Sequence, residues 1–560
     1  MDLRTRARRL VYLAHRWTGI AGCLLMLLWF LSGIVMLYIG YPKLTPWERL
    51  APLPALDADA CCAPLAALPP RAREGALALT SIGGEPYYVV REGARWRAYP
   101  ASAAPAAAPE NAISPYTAGR KAFPREPTPQ KSASLSATPQ EAATLEASPL
   151  DIALLKPAAI TVERALAAAR DYAPGQRLRY AGQVDEDRWT HSHALDAHRP
   201  LLRVQAQGRA PATLYVSSAT GAVVLDAPLA QQRWNYVGAW LHWLYMFRDR
   251  SVDPAWSWIV IALSALGTLA AVSGVLVGVW RWRFTKRYKS GRRTPYREAW
   301  MRWHHVAGLL FSAFVFSWIF SGLMSMNPAE MFSSPDAAPR LAAYQKGPAA
   351  ASIADAAAAD AAPADPRPVL RALHRAGFDA VELQWRRLDG RGYVLAYDAH
   401  ADSRLVLRQA AGLAVKRRWA AIDILPAARR LFPGAQADAR KIDSYDAYYY
   451  QRHPEAMNGA AQHGLPALRV DFGNPARSRA YIDLRTGEVA LCLARRQRLG
   501  RWLFNFLHSW DTPALLDTGP ARDLVLILLS VGGLAVSATG VVVGWRRLRG
   551  KLAGPRRATG

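Results

Sequence analysis

Four histidines recur in a repeated pattern beside long apolar segments. Sliding the chain by 289 positions places His15 on His304, and sliding it by 266 positions places His242 on His508. The first two open apolar runs, and the other two precede apolar runs. Ionisable residues are costly near a bilayer and are therefore functional candidates. Two facing imidazoles saturate haem iron for electron transfer. The pattern predicts two b-type haems, one ligated by His15 and His304 and the other by His242 and His508.

A glycine follows the first histidine pair by one helical turn. Gly19 and Gly308 lie four residues after His15 and His304, on the same helix faces, where a missing side chain leaves room for a porphyrin. His305 is an alternative ligand to His304, but it points about 100° around the helix, and the repeat favours His304. A single interfacial histidine more often bonds a carbonyl or a lipid headgroup, so the argument for ligation depends on the repetition.

Two further clusters are weaker candidates. His191, His193 and His198 form an HxHxxxxH motif. Alternate residues share one face of a strand, so the first two could chelate a metal, although a solvated strand edge or loop is the simpler interpretation. A second group of aromatic side chains suits an iron chelate, with core or hairpin packing as the alternative for its tyrosines. These candidate substrate residues are Trp240, Trp243, Tyr448, Tyr449 and Tyr450.

Composition limits the possible functions. The chain has 560 residues and a net charge of +27, but basic runs beside the apolar segments explain much of this charge, and no nucleic-acid partner is predicted. The four cysteines form no CxxCH motif, so covalently attached haem is not indicated. A disulfide from Cys492 to Cys61 or Cys62 is an open alternative. Because no Walker A loop or Rossmann fingerprint is present, another protein must present any nucleotide or flavin electron donor.

The elements that would position the histidines are four apolar segments long enough to cross a bilayer as helices. They cover about 18–39, 255–280, 304–326 and 523–545. The positive-inside rule places both termini and the basic segment 281–303 in the cytoplasm. The two long loops, at about 40–254 and 327–522, then face outward.

Each long loop is predicted to be a small α+β domain. The first contains a low-complexity insert at about 98–150, a helix over 161–173 and a strand turn at Thr220-Gly221. The second contains a helix over 420–431 and a strand turn at Thr486-Gly487. Its predicted strands cover 467–472 and 479–483. An aromatic segment with a histidine ends each loop and is expected to lie at the outer membrane surface.

These boundaries divide the chain into eight parts. In order they are 1–39 (N-terminus and first span), 40–233 (first outer domain), 234–280 (interfacial segment and second span), 281–303 (basic loop), 304–326 (third span), 327–500 (second outer domain), 501–545 (interfacial segment and fourth span) and 546–560 (tail).

Taken together, these motifs resemble the PepSY-associated transmembrane family of bacterial inner-membrane proteins. The matching features are the HRWTG opening, the Ser-Gly late in spans one and three, and the Leu-His before spans two and four. The resemblance covers nearly the whole chain apart from the low-complexity inserts. It implies an α-helical membrane protein with four transmembrane helices in two repeats and two periplasmic α+β PepSY-like domains.

The same family includes haem-containing ferric-siderophore reductases. The resemblance therefore implies an oxidoreductase with haem b, two per chain, that takes electrons from a cytoplasmic or membrane donor and reduces a ferric siderophore in the periplasm. One alternative is a non-catalytic scaffold whose PepSY-like domains bind a periplasmic protein or peptide. Another is a permease for the chelate, which the lack of charged residues within the spans disfavours.

Overall fold

The computed structural model describes residues 3–102, 154–248, 253–335, 338–347, 362–453, 456 and 463–552, so most of the predicted insert at 98–150 lies outside the described residues. The helices are α1 (Leu3–Met36), α2 (Pro46–Leu50), α3 (Val162–Tyr172), α4 (Leu229–Asn235), α5 (Pro254–Arg281), α6 (Ala299–Leu310), α7 (Ser312–Ser325), α8 (Leu341–Lys346), α9 (Pro366–Arg375), α10 (Ala421–Arg429), α11 (Arg495–Gly500), α12 (Leu507–Ser509), α13 (Pro513–Leu516) and α14 (Pro520–Leu552).

Within the described residues, three helices, α1, α5 and α14, are long and apolar enough to cross a membrane. The helices α6 and α7 are long and apolar enough only as a pair, and together they form a fourth candidate span. A single residue separates them, and the pair is bent by 71°. Local sequence explains where α5 starts, since the Asp253 side chain accepts from the Trp256 amide at 3.0 Å and Pro254 occupies the first turn.

The long helices form a closed bundle. The helix α1 packs against both α5 and α14, while α7 packs against α5 and α6 packs against α14. Two glycines admit large side chains to the bundle interior. A Cβ atom on Gly533 would lie 2.5 Å from the Phe30 ring, and one on Gly267 would lie 3.0 Å from Ile319. The central apolar layer consists of Met26, Phe30, Ala270, Val315 and Ile319.

The predicted segment 304–326 is not one straight helix. Phe311 leaves the helical region with φ −101° and ψ 5°, and no proline is present to cause the break. The Phe311 ring packs over Gly532 of α14, where an added Cβ would come within 2.3 Å of the ring. The bend therefore coincides with tertiary packing of an aromatic side chain, which the local sequence does not encode.

Three antiparallel sheets lie outside the bundle. The strands are β1 (Leu77–Ile82), β2 (Glu85–Glu92), β3 (Arg95–Pro100), β4 (Arg177–Val184), β5 (Leu201–Gln207), β6 (Ala212–Ser217), β7 (Val223–Pro228), β8 (Glu382–Leu388), β9 (Arg391–Tyr397), β10 (Ser403–Gln409), β11 (Gly412–Lys416), β12 (Ala437–Ile442), β13 (Ala467–Phe472), β14 (Arg479–Asp483) and β15 (Val489–Leu493). Two four-stranded sheets contain β4–β7 and β12–β15, in chain order. The third has seven strands in the order β11-β10-β9-β8-β1-β2-β3.

The seven-stranded sheet joins the two long loops. Strand β1 from the first loop pairs antiparallel with β8 from the second, with Thr80 opposite Glu382. The sequence predicts two separate α+β domains, and this shared sheet was not predicted. The two loops therefore form one continuous β structure through the β1–β8 ladder.

The individual predicted elements near the loop ends are confirmed. The predicted helices become α3 and α10, and the two predicted strands are β13 and β14 with the same bounds. Gly221 and Gly487 adopt φ values of 78° and 77° at the two turns, a region that glycine enters without steric cost. Cys492 is a free thiol in the core of the β12–β15 sheet, whereas Cys61 and Cys62 lie in the core of the seven-stranded sheet, so the disulfide alternative is wrong.

Candidate functional site

His15 of α1 and His304 of α6 lie together in the bundle. We name them the far-side pair, because they lie at the end of the bundle away from the sheets. Their ring centroids are 6.2 Å apart. Nδ1 of His15 lies 3.1 Å from the Ala270 carbonyl of α5, and Nδ1 of His304 lies 3.1 Å from the Val536 carbonyl of α14. A carbonyl only accepts, so each Nδ1 carries the proton, and Nε2 keeps the lone pair that a metal requires.

His242 and His508 form the sheet-side pair at the other end of the bundle. Their ring centroids are 6.0 Å apart. Nδ1 of His242 lies 3.0 Å from Oγ of Ser32, and Nδ1 of His508 lies 2.9 Å from Oγ of Ser321. Each serine hydroxyl also donates to a backbone carbonyl of its own helix, at 2.7 and 3.0 Å. The serines therefore accept from Nδ1, and Nε2 again keeps its lone pair.

Both separations fit a metal ion held between two imidazoles. A metal–imidazole bond is about 2 Å long and the binding nitrogen lies about 1 Å from the ring centre, so two imidazoles that held one metal ion from opposite sides would have ring centroids about 6 Å apart. The observed 6.2 and 6.0 Å agree with this value. The hydrogen bonds on Nδ1 are the kind of outer contact that orients a metal-binding histidine. The donor set and its spacing thus fit haem iron at both ends of the bundle.

A π-helical turn precedes each histidine of the sheet-side pair. The ranges Tyr236–Trp240 and Arg501–Phe506 are π-helical and directly precede the segments with His242 and His508. Such turns occur frequently at functional sites. The indole Nε1 of Trp29 donates to the His242 carbonyl at 2.9 Å, which ties the first of these segments to α1.

Glycines on α5 and α14 make room for the far-side rings. A Cβ on Gly274 would lie 2.8 Å from Cε1 of His15, and one on Gly540 would lie 3.5 Å from Cε1 of His304. The close approach of Gly274 is tighter than ordinary van der Waals contact. We infer that this glycine is required for the His15 ring to reach its place, a role distinct from helix–helix packing alone.

The other predicted residues on these helices have different surroundings. A Cβ added at Gly19 or Gly308 would meet no atom within 4 Å among the described residues, and their role in haem packing stays a prediction. His305 is buried and uses both ring nitrogens, at 2.7 Å from Thr294 Oγ1 and 2.9 Å from the Gly278 carbonyl. Its ring is therefore occupied by protein contacts.

A cavity of about 550 Å³ adjoins the sheet-side pair. This volume lies within the range of small-molecule and cofactor sites. The floor contains Phe30 and Trp318, whose ring centroids are 5.8 Å apart. Both histidines of the pair line the cavity, and its walls are formed by Trp243, Tyr245, Trp256, Arg452 and Arg522.

The predicted substrate aromatics do not form one surface. Trp243 lines the cavity, whereas Trp240 packs against Tyr236 with a centroid distance of 5.8 Å and is not part of the lining. Tyr449 is fully buried, and its hydroxyl donates to the Gly464 carbonyl at 2.8 Å. The Tyr449 side chain is part of the core, as the packing alternative for the tyrosines describes, and its role as a substrate contact stays a prediction.

The two neighbouring tyrosines are also tied to protein partners. The Tyr448 hydroxyl accepts from the Trp502 indole at 3.0 Å. The Tyr450 hydroxyl donates to Asp511. Burial and the negative charge of Asp511 raise the pKa of Tyr450 to about 12.

The histidine cluster of the first outer domain is not a strand. The range His193–His198 is a 3₁₀-helix. His191 contacts Glu186, and His193 lies 2.9 Å from Asp196. Burial lowers the pKa of His198 to about 4. Within the described residues no group of three or more metal-binding side chains is present, so the chelation hypothesis has no support in the observed geometry.

Several residues of the candidate site were not predicted from the sequence. The Ser-Gly repeat at Ser32 and Ser321 was visible, and so was the glycine repeat at Gly274 and Gly540, but neither pattern reveals that its members contact histidine rings. Arg452 carries no repeat signal at all. Its position beside the cavity depends on folding of the second outer domain against the bundle.

Comparison with known proteins assigns the chain to a family. No sequence among the curated proteins matches it. The family described as the PepSY-associated TM region matches residues 12–547, a range that contains both histidine pairs and nearly the whole chain. Together with its long apolar helices and its β-sheet-rich regions, this match identifies a multi-pass membrane protein that belongs to the PepSY-associated TM region family.

Proposed function

We propose that this protein is a b-type di-haem oxidoreductase of the bacterial inner membrane that moves electrons across the bilayer and reduces a ferric siderophore in the periplasm. In this proposal α6 and α7 together form the third of four spans, and the chain consists of two repeats with two PepSY-like outer domains. Both termini lie in the cytoplasm, because the positive-inside rule places the basic segments beside the spans on the cytoplasmic side.

The single observation that carries the proposal is the doubled histidine geometry. The ring centroids of the two pairs are 6.2 and 6.0 Å apart, a spacing at which each pair could hold one metal ion between its imidazoles. Each ring has its Nδ1 engaged by a backbone or serine oxygen, which directs Nε2 toward a metal. Haem bound at these sites would supply reversible one-electron chemistry.

The protein's own residues orient the ligands and separate the two sites. His15 and Ser32 lie 17 positions apart on one continuous helix, which is about 25 Å along its axis. The central apolar layer around Phe30 and Ile319 fills the bundle between them. A layer of this kind excludes water, so electrons but not solvated ions would pass between the pairs.

The location of the cavity supports one direction of transfer. A cytoplasmic or membrane donor would deliver electrons to the group held by the far-side pair, and the acceptor would approach the sheet-side pair through the cavity that Trp243 lines. A ferric siderophore is a suitable substrate, because hard oxygen ligands hold ferrous iron less firmly than ferric iron. Reduction would therefore release the metal.

The first test is the visible spectrum of the detergent-purified protein from cells supplied with haem precursor. We expect two non-covalent haems per chain, extractable with acidic acetone because no CxxCH motif is present. A colourless protein would rule out the proposal and favour the scaffold alternative, in which the outer domains bind a periplasmic protein or peptide.

The second test addresses the reaction. The purified protein is reduced anaerobically with dithionite, excess reductant is removed, and ferric siderophores are added with a ferrous trap. Reoxidation of the haem with matching release of ferrous iron is the expected result. Haem that stays reduced against every chelate would contradict the reductase assignment, while chelate transport into vesicles without oxidation would favour a permease.

A further inference from the structure

The two walls of the sheet-side cavity occupy equivalent positions in the chain. The 266-residue register that relates His242 to His508 also relates Trp243 to Ser509 and Tyr245 to Asp511. The backbone is similar at both places, since Leu244 and Trp510 both adopt left-handed φ values, 55° and 50°. The side chains at these positions nevertheless differ, so the two walls have a similar backbone but different side-chain chemistry.

One wall is aromatic. The ring centroids of Trp243 and Tyr245 are 5.3 Å apart, and those of Tyr245 and Trp256 are 5.7 Å apart. The Trp256 indole donates to the Trp243 carbonyl at 2.7 Å, which turns its hydrogen-bonding group into the protein. Arg248 stacks on Tyr245 and Trp256, at 4.9 and 5.1 Å from their ring centroids, but does not line the cavity. The surface that this wall offers to the cavity is therefore mainly aromatic.

The opposite wall is charged. Arg522 occupies the position equivalent to Trp256, and its guanidinium lies 2.6 Å from Asp523 while donating to the Ser509 and Trp510 carbonyls. Behind it, Arg452 contacts the fully buried Asp511. Arg501 lies 3.2 Å from the same carboxylate.

Among the described residues, the charged wall has more cations than anions. Its three guanidiniums, from Arg452, Arg501 and Arg522, face two carboxylates, from Asp511 and Asp523. An uncompensated charge beside an apolar cavity is costly. A carboxylate on a ligand would offset this charge and accept hydrogen bonds from a guanidinium.

We propose that the charged wall, through Arg452 and Arg522, binds the propionate carboxylates of haem held by the sheet-side pair, while the aromatic wall packs against its apolar edge. The inference depends on the proposed function. It goes further by assigning the haem one orientation, with its propionates toward the charged wall. The histidines alone would also permit the opposite orientation, with the propionates toward the aromatic wall. A carboxylate-bearing ferric chelate such as ferric citrate would use the same chemistry, and the test separates the two sources.

The test uses the full chain with His15→Ala, so that only the sheet-side pair is titrated. The apoprotein is titrated with haem and with haem dimethyl ester, which has the same ring but no carboxylates, and binding is followed by absorbance. We expect the ester to bind about 10- to 100-fold more weakly. Arg522→Gln and Arg452→Gln should each reduce this ratio, and Arg522→Lys should preserve most of it.

A matched control is Arg546→Gln, because Arg546 contacts Glu298 in an exposed pair at the far side. It should leave the ratio unchanged. Equal affinity of the unsubstituted cavity for haem and its ester would overturn this inference but leave the di-haem proposal intact. Binding of neither form would overturn the proposed function itself. If the ratio survives both glutamine substitutions and they instead abolish binding of ferric citrate to the haem-loaded protein, the arginines serve the acceptor and the inference is wrong.

Discussion

At the scale of single residues, the contacts of Nδ1 determine which histidines are able to ligate a metal. The rings of the two pairs donate from Nδ1 to oxygen and keep Nε2 available, whereas His305 uses both of its nitrogens for protein contacts. The repeat in the sequence selects His304 over His305 for an independent reason. Register and hydrogen bonding therefore give the same assignment.

The first prediction concerns the ligands. His15→Ala or His304→Ala should remove one haem per chain by leaving its partner without a second axial imidazole, and His242→Ala or His508→Ala should remove the other. The pyridine haemochrome assay measures the haem-to-protein ratio. His305→Ala is the matched control and should retain both haems; a protein that loses haem with His305→Ala but not with His304→Ala would contradict the assignment.

The second prediction concerns the serines that contact the sheet-side rings. Ser32→Ala and Ser321→Ala each remove the acceptor for an Nδ1 proton at 3.0 and 2.9 Å. Loss of such an outer contact weakens metal binding by about 10- to 100-fold. Haem titration of the apoprotein checks this. Ser312→Ala is the control, because that hydroxyl bonds only to the Leu309 carbonyl, at 2.9 Å; equal losses in control and test variants would point to general destabilisation.

At the scale of elements, hydrophobic length predicted the long helices, and alternation with turn residues predicted β13 and β14. The break at Phe311 was not predictable, because nothing in its neighbours disfavours a helix and the cause is the space above Gly532. The π-helical turns before His242 and His508 were missed for the same reason. The first of these turns packs against α1, where Gly238 lies against Val35, and the second packs against α7.

The third prediction uses the different clearances around the two far-side rings. Gly274→Ala would place a Cβ 2.8 Å from His15, so the ring or helix α5 must move, whereas Gly540→Ala would place one at 3.5 Å from His304, an ordinary contact. We expect Gly274→Ala to reduce occupancy of the far-side haem and Gly540→Ala to leave it nearly unchanged. Low-temperature absorbance spectra resolve the two haems. Equal effects of the two substitutions would show that the glycines act only in helix packing.

At the scale of the whole molecule, the seven-stranded sheet could not be predicted. Its central ladder joins β1 to β8, about 300 positions later, and a strand's own alternation does not identify so distant a partner. The same contact region contains a buried ion pair. Arg49 of α2 donates two hydrogen bonds to Glu382 of β8, at 2.5 and 2.9 Å, and the Tyr172 hydroxyl donates to the Arg49 carbonyl at 2.9 Å. The two loops are thus linked by charge as well as by backbone.

The last prediction tests this link through pH. Burial opposes ionisation of Glu382, but the Arg49 charge and hydrogen bonds outweigh it and lower the pKa of this carboxyl overall. The contribution of Glu382 to stability is therefore complete above its unfolded pKa of about 4.3 and is lost as pH falls through the lower folded value. Glu382→Gln leaves the Arg49 side chain, which is 34% exposed, without its charged partner, and should cost about 1–3 kcal/mol at neutral pH.

Thermal unfolding of the detergent-purified protein, followed by tryptophan fluorescence between pH 7 and pH 3, measures both effects. The midpoint of the unsubstituted protein should fall as pH drops below about 4.3, and its advantage over Glu382→Gln should shrink with it. Glu488→Gln is the control, because Glu488 pairs with Arg386 at 2.9 Å in a more exposed setting, where such a pair contributes about 1 kcal/mol at most. A constant difference between the Glu382→Gln variant and the unsubstituted protein across this range would mean that the Arg49–Glu382 charge pair does not hold the two loops together.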